Sequence, residues 1–94
     1  MATQLQNDCT PYKVNKTKSG GRGIVQGVGS DTAALYGSLD GENYTAIHVF
    51  SENQLVEIAL PNFVLIASNT DATSQATATA VAGTTKVFID ETRG

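Results

Sequence analysis

Residues 35–44, Leu-Tyr-Gly-Ser-Leu-Asp-Gly-Glu-Asn-Tyr, contain the clearest secondary-structure signal in the chain. An apolar stretch at 32–37 leads into Asp40 and Gly41, and an alternating stretch at 44–50 follows. Asp-Gly supplies the positive φ that a reverse turn between two strands requires, because glycine carries no Cβ. The sequence therefore predicts a strand, a turn at Asp40 and Gly41, and a second strand that returns antiparallel to the first.

Short strand-like segments continue on both sides of this turn, each bounded by glycine, proline or polar residues. They cover 23–28, 54–60, 63–67, 75–82 and 85–92. No window of eleven residues repeats its apolar positions at helical spacing. The connections are also too short for parallel crossovers, which need about a dozen residues. We therefore predict an all-β fold, a small antiparallel β-sandwich or barrel of six to seven strands.

Three of these segments differ in what their residue patterns predict. Residues 54–60 alternate, which places Val56, Ile58 and Leu60 on one face of a strand and Leu55, Glu57 and Ala59 on the other. Residues 63–67 are apolar on both faces, as in a central strand that is covered on each side. Residues 75–82 alternate alanine with threonine and valine, which we interpret as a thin, closely packed strand. The alternative for 75–82 is a flexible loop that orders on assembly.

Basic residues are concentrated at the start of this acidic chain, whose formal net charge is −3. Four of the six lysines and arginines are Lys13, Lys16, Lys18 and Arg22. A glycine-rich stretch at 19–23 follows them and is interpreted as a hinge. We predict an extended basic N-terminal arm over 1–22 and a β-sandwich body over 23–94. The arm is expected to dock on an acidic partner surface, and its removal is expected to leave a folded body.

The sequence offers few candidates for catalysis or for metal binding. Cys9 and His48 are the sole cysteine and histidine, too few for a structural zinc site or an internal disulfide. A thiol nucleophile at Cys9 would need His48 nearby in the fold. Asp40, Glu42 and Asn43 could hold calcium, but an Asp-Gly turn explains the same residues. We predict no enzymatic activity, no cofactor and no metal.

Other ligand classes are weakly supported. The chain starts without an apolar leader and has no run long enough to span a membrane, so we expect no membrane partner. The acidic body is unfavourable for nucleic acid, which we also exclude as a partner. Tyr12, Tyr36 and Tyr44 could stack against sugar rings, although packing roles suit isolated tyrosines better. A glycan-binding module therefore stays open as an alternative.

The motif at Gly37 to Tyr44, Gly-Ser-x-Asp-Gly-x-x-aromatic, resembles a signature of small β-sandwich virion proteins encoded by tailed bacteriophages. The similarity continues at Leu60-Pro61-Asn62-Phe63-Val64, a proline-aromatic step into a buried strand. A closing segment rich in threonine and alanine completes it. The resemblance runs from about Gly23 to Asp90, most of the chain.

The resemblance implies a non-enzymatic structural role in the phage particle. A capsid decoration (cement) protein fits best, since such proteins are small, acidic and all-β, with an extended N-terminal arm. The implied partners are the major capsid protein or other virion proteins and further copies of the chain, with a trimer favoured. The implied location is the capsid surface, after assembly in the host cytoplasm. A head–tail connector or a tail accessory protein is the alternative within the particle.

Overall fold

A computed structural model describes residues 2–15 and 21–91 of the chain. These residues form eight strands and one turn of 3-10 helix, Gln75–Thr77. The strands are β1 (Thr3–Gln4), β2 (Tyr12–Lys13), β3 (Arg22–Val28), β4 (Ala33–Ser38), β5 (Thr45–Phe50), β6 (Gln54–Ala59), β7 (Phe63–Ala67) and β8 (Lys86–Glu91). The predicted all-β class and antiparallel sandwich are confirmed. The strand number exceeds the predicted six to seven because β1 and β2 belong to the sheets.

The strand pairing follows one simple rule. Strand β1 pairs with β8, β2 with β7, β3 with β6 and β4 with β5, all antiparallel, as in one long hairpin folded at the β4–β5 turn. Rolling up this hairpin adds the pairs β3–β8 and β4–β7. The result is two four-stranded sheets, ordered β1-β8-β3-β6 and β2-β7-β4-β5. This strand order defines a jelly roll, a double-sheet fold of eight strands.

The first sheet, β1-β8-β3-β6, is buried on its inner face only. Val25 of β3 and Val87 and Ile89 of β8 point into the interior, while intervening residues such as Gln26 are exposed. On β6, Val56 and Ile58 pack against the same cluster and Leu55 is exposed, as the alternation predicts. One apolar and one polar face per strand is the pattern of an antiparallel sheet that meets water on one side.

The two central strands of the second sheet, β7 and β4, are covered on both faces. Leu35 and Ile66 face the interior between the sheets, and Tyr36 and Leu65 form part of a second buried cluster on the outer face. Strand β7 runs through the middle of both clusters, which confirms the prediction that 63–67 is covered on each side. The outer layer consists of chain connections rather than a third sheet.

The structure corrects the prediction of an extended N-terminal arm. Residues 2–15 are part of the sandwich, where β1 extends the first sheet beside β8 and β2 extends the second sheet beside β7. Leu5 and Val14 are 2% and 4% exposed and belong to the interior cluster. Lone apolar residues within a polar, basic stretch gave no periodic signal, and this caused the incorrect interpretation. Residues 16–20, which include the predicted hinge, lie outside the described residues.

The strand predicted over 75–82 is wrong. This segment contains the 3-10 turn and an irregular connection that packs on the outer face of the second sheet. Side chains replace ladder bonds here, since Asn69 accepts a hydrogen bond from the Thr79 N–H and donates one to the Thr77 carbonyl. The Tyr36 hydroxyl donates to the Asn69 carbonyl and accepts from the Ala72 N–H. Small side chains at 72–80 let this connection lie close to the sheet.

Candidate functional site

The predicted turn at Asp40 and Gly41 is confirmed, within a six-residue loop between β4 and β5. Gly41 has a φ of +79°, the left-handed conformation that favours glycine. One oxygen of the Asp40 carboxylate accepts hydrogen bonds from the Ser38 hydroxyl and from the N–H groups of Glu42 and Asn43. Its other oxygen accepts from the Asn43 side-chain amide at 2.7 Å.

These bonds fix the charge state of the loop and favour a turn over a calcium cage. The Asn43 and Glu42 N–H groups, aided by the side chains of Asn43 and Ser38, hold the pKa of Asp40 well below its usual value. A carboxylate whose oxygens are engaged by its own loop has little capacity left for a cation. Among residues 2–15 and 21–91, no three His, Cys, Asp or Glu side chains are grouped to share a metal ion.

The Asp40 loop gives the domain a defined acid sensitivity. Because the folded-state pKa of Asp40 is lowered, its ionised form stabilises the fold above about pH 4, the value for a free aspartate. This stabilisation is lost as the pH falls from about 4 towards the lowered pKa. We expect the free energy of unfolding of Asp40→Asn to depend less on pH below about 4 than that of the wild type.

Urea titrations at a series of pH values measure this difference. Glu52→Gln, which removes a carboxylate from the exposed β5–β6 turn, controls for the change in net charge. Equal pH dependence in Asp40→Asn and the wild type would contradict the assignment of Asp40 as a stabilising carboxylate.

The structure separates the basic residues predicted to form a docking arm. Lys13 lies exposed on β2, at the edge of the second sheet. Arg22 begins β3, and its guanidinium lies 2.6 Å from the Glu57 carboxylate on the neighbouring β6, with both side chains about half exposed. Lys16 and Lys18 lie outside the described residues. Lys13 thus faces solvent, whereas Arg22 is engaged within its own sheet.

Cys9 and His48 are not brought together. Cys9 is 3% exposed in the outer cluster of the second sheet, where burial, with a smaller effect from the Asp8 carboxylate, raises the pKa of its thiol. His48 pairs with the interior-facing Leu35, so it shares the opposite face of that sheet. A buried thiol with a raised pKa is a poor nucleophile.

The His48 imidazole has a structural environment at the side of the sandwich. Its Nε2 lies 3.0 Å from the Gln54 side-chain oxygen, which connects β5 of one sheet to β6 of the other. Its ring meets the Phe50 ring edge-on, with centroids 4.7 Å apart. Phe50 in turn occupies the space above Gly27, where any Cβ would lie within 3 Å of the ring. His48 therefore helps to close the two sheets against each other.

The tyrosine side chains are packed within the protein rather than fully exposed on its surface. Tyr36 and Tyr44 are 0% and 4% exposed, and burial raises the pKa of the Tyr44 hydroxyl, which has no hydrogen-bond partner. Tyr12 is half-buried against the interior cluster, and burial, with a smaller effect from Glu91, raises the pKa of its hydroxyl. Tyr36 and Tyr44 thus offer no open ring face for stacking on a sugar.

A concentration of exposed apolar side chains at one side of the sandwich was not anticipated from the sequence. The two edge strands β5 and β6 follow each other in the chain and lie at the same end of the two sheets. Most of the large exposed apolar side chains lie on or beside them, namely Leu39, Ile47, Val49 and Leu55. The outward position of Leu55 in the alternating stretch 54–60 was the available signal, because this alternation puts a leucine on the solvent face.

Comparison with known proteins gives no relative from which a role could be transferred. No family model, no curated protein and no solved structure matches the chain. No helix in residues 2–15 and 21–91 has the length and hydropathy needed to cross a bilayer. The function is therefore argued from the fold and the surface.

Proposed function

We propose that the protein is a non-enzymatic structural component of a tailed-phage particle, a capsid decoration protein that binds and stabilises the head shell. The observation that supports this most is the jelly-roll strand order, an architecture that viral capsid domains share with lectin domains and cupins. A fold does not fix a function, so the support is by analogy. The buried tyrosines weigh against the lectin alternative.

The surface supports a binding role over a catalytic one. Cys9 and His48 lie on opposite faces of one sheet, and the Asp40 carboxylate is engaged by its own loop. Two six-residue edge strands with exposed apolar side chains offer the kind of surface that associates with other proteins. The protein partners in this proposal are the major capsid protein or other virion proteins, and further copies of the chain.

The protein would stabilise the shell through thermodynamic linkage between its own binding and shell assembly. A subunit that bridges two shell proteins binds the assembled shell and not the separated proteins, so its binding free energy opposes separation. Contacts repeated over a lattice multiply this effect through avidity. Lys13, which is exposed, would steer the chain to an acidic shell surface in a salt-sensitive way, together with the positive charges of Lys16 and Lys18.

The proposal is tested with particles produced by the genome that encodes this chain, after deletion of its gene. Purified protein should bind these particles, and the bound particles should resist heating better than the bare ones. Joint reversal of Lys13, Lys16 and Lys18 to glutamate should weaken binding at low salt more than at high salt. Lys13→Glu alone should also weaken binding more than its matched control, Lys86→Glu on β8, because each reverses one exposed lysine and changes the net charge equally. Failure of the wild-type protein to bind would contradict the proposed function.

A further inference from the structure

Strand β6 is a free sheet edge along its whole length. Its six residues, Gln54–Ala59, pair in regular register with β3 on one side. Among the described residues, no strand pairs with its other side. A row of backbone N–H and C=O groups on such an edge is a template for pairing with another strand.

The other edges of the two sheets carry features that discourage such pairing. Strands β1 and β2 are two residues long. The register of β5 shifts where it pairs with Leu35 and Tyr36, an irregularity of the bulge type. Short edges and bulges are the usual ways in which proteins protect exposed strands. Strand β6 has neither of them, and it contains no proline or lysine.

The side chains around β6 favour contact with another protein surface. Leu55 is 65% exposed, and it lines a shallow depression with Ile24 and Phe88 on the outer face of the first sheet. The single charge on β6, Glu57, is paired with Arg22 on β3. The β6 strand itself therefore exposes a leucine and carries one charge, which has a partner in the same sheet, within a chain whose net charge is −3. Asp90 also lines the depression beside Leu55.

We propose that β6 pairs antiparallel with β6 of a second copy of this chain about a two-fold axis. A two-fold axis at Val56 would place Leu55 of each chain opposite Glu57 of the other, on the outer face shared by residues 55 and 57. Like charges are then not opposed, because Glu57 meets a leucine and keeps its Arg22 partner. Two-fold pairing of identical edges is self-complementary and closes the association at a dimer.

The paired edges would join the β1-β8-β3-β6 sheets of the two copies into one continuous sheet of eight strands. The pairing would also cover both Leu55 side chains. This inference does not rest on the proposed function, since it concerns the purified chain alone. Its failure is therefore distinguishable from a failure of shell binding.

Sedimentation equilibrium of the purified chain over a range of concentrations tests the proposal. We expect a monomer–dimer equilibrium in the wild type, and at least about a tenfold higher dissociation constant for Leu55→Glu, which would place two like charges opposite each other at Glu57. Gln4→Glu is the matched control, because Gln4 is exposed on β1, at the opposite edge of the first sheet, and its substitution should leave the equilibrium unchanged. Circular dichroism should show that both variants fold, since each replaces an exposed side chain.

Three results would overturn the inference. The first is a wild-type chain that stays monomeric up to about 1 mM. The second is a trimer, the state that the phage resemblance implies. The third is a dimer that Leu55→Glu leaves intact.

Discussion

A chain that lacks residues 1–15 should fail to fold into a stable domain. Leu5 and Val14 fill the interior between the sheets and are almost completely buried. Burial of one leucine in a core contributes on the order of 2–5 kcal/mol, and a whole domain is stable by only about 5–15 kcal/mol. Loss of two buried side chains, and of the strands that carry them, should therefore remove most of the stability.

The same truncation removes hydrogen bonds that hold a distant part of the chain. The Asn7 side chain donates to the carbonyls of Ala82 and Thr85, and the Asn7 carbonyl accepts from the Val81 N–H. The Glu91 carboxylate accepts from the Asn15 N–H at 2.9 Å. The connection between β7 and β8 thus depends on the N-terminal segment, so the effect of truncation should extend beyond β1 and β2.

Urea unfolding followed by circular dichroism measures this loss. The control is a chain that lacks residues 1 and 2 only, because Ala2 is exposed and precedes β1. That shorter truncation should unfold at nearly the wild-type urea concentration. If the chain without residues 1–15 unfolded cooperatively at the wild-type midpoint, the segment would be a dispensable arm, as the sequence suggested, and the packing described here would be contradicted.

The second large effect is expected for Leu65→Ala on β7. Leu65 is 1% exposed on the outer face of the second sheet, below the connection that includes Ala72. Its truncation should lower the free energy of unfolding by about 2–5 kcal/mol, from lost burial and from the cavity left behind. Leu55→Ala on β6 makes the same chemical change at an exposed site and should alter stability by less than about 0.5 kcal/mol.

Urea midpoints of the two variants distinguish a covered outer face from an open one. Many antiparallel sheets leave one face to water, and on such a sheet Leu65→Ala would cost no more than Leu55→Ala. Equal midpoints for the two alanine variants would therefore show that the 68–81 connection does not cover this sheet.

The sequence contained enough information for the parts of the fold that repeat or turn sharply. Asp40 and Gly41 identified the turn because few residues adopt a positive φ. The alternation over 54–60 predicted which face of β6 points into the core. The apolar run over 63–67 predicted a strand that is covered on both faces. These signals are local, so one sequence is sufficient to detect them.

Long-range features were harder to infer. The alternating Ala and Thr residues of 75–82 resemble a thin strand, but the Thr77 carbonyl and the Thr79 N–H bond to the side chain of Asn69 rather than to a neighbouring strand. Two-residue strands such as β1 and β2 are too short to show any period. The jelly-roll order depends on which distant segments pair, which no local pattern specifies.

The residue types of the candidate site could be predicted from the sequence, but the contacts around each residue could not. Lys13 is exposed as a docking residue requires, whereas Arg22 is engaged with Glu57 across a strand pair that the sequence did not reveal. The free edge at β6 could not be identified before the strand order was known, although the outward Leu55 was visible in the alternation.

The proposed decoration of the head shell is tested most directly by the number of copies bound per particle. Purified wild-type protein is titrated onto particles that lack it, and the bound copies are counted at saturation. We expect a fixed ratio of bound copies to shell subunits, because a decoration protein binds a repeated lattice site. Saturation at a small number of copies confined to one vertex or to the tail would contradict it and assign a connector or tail role instead.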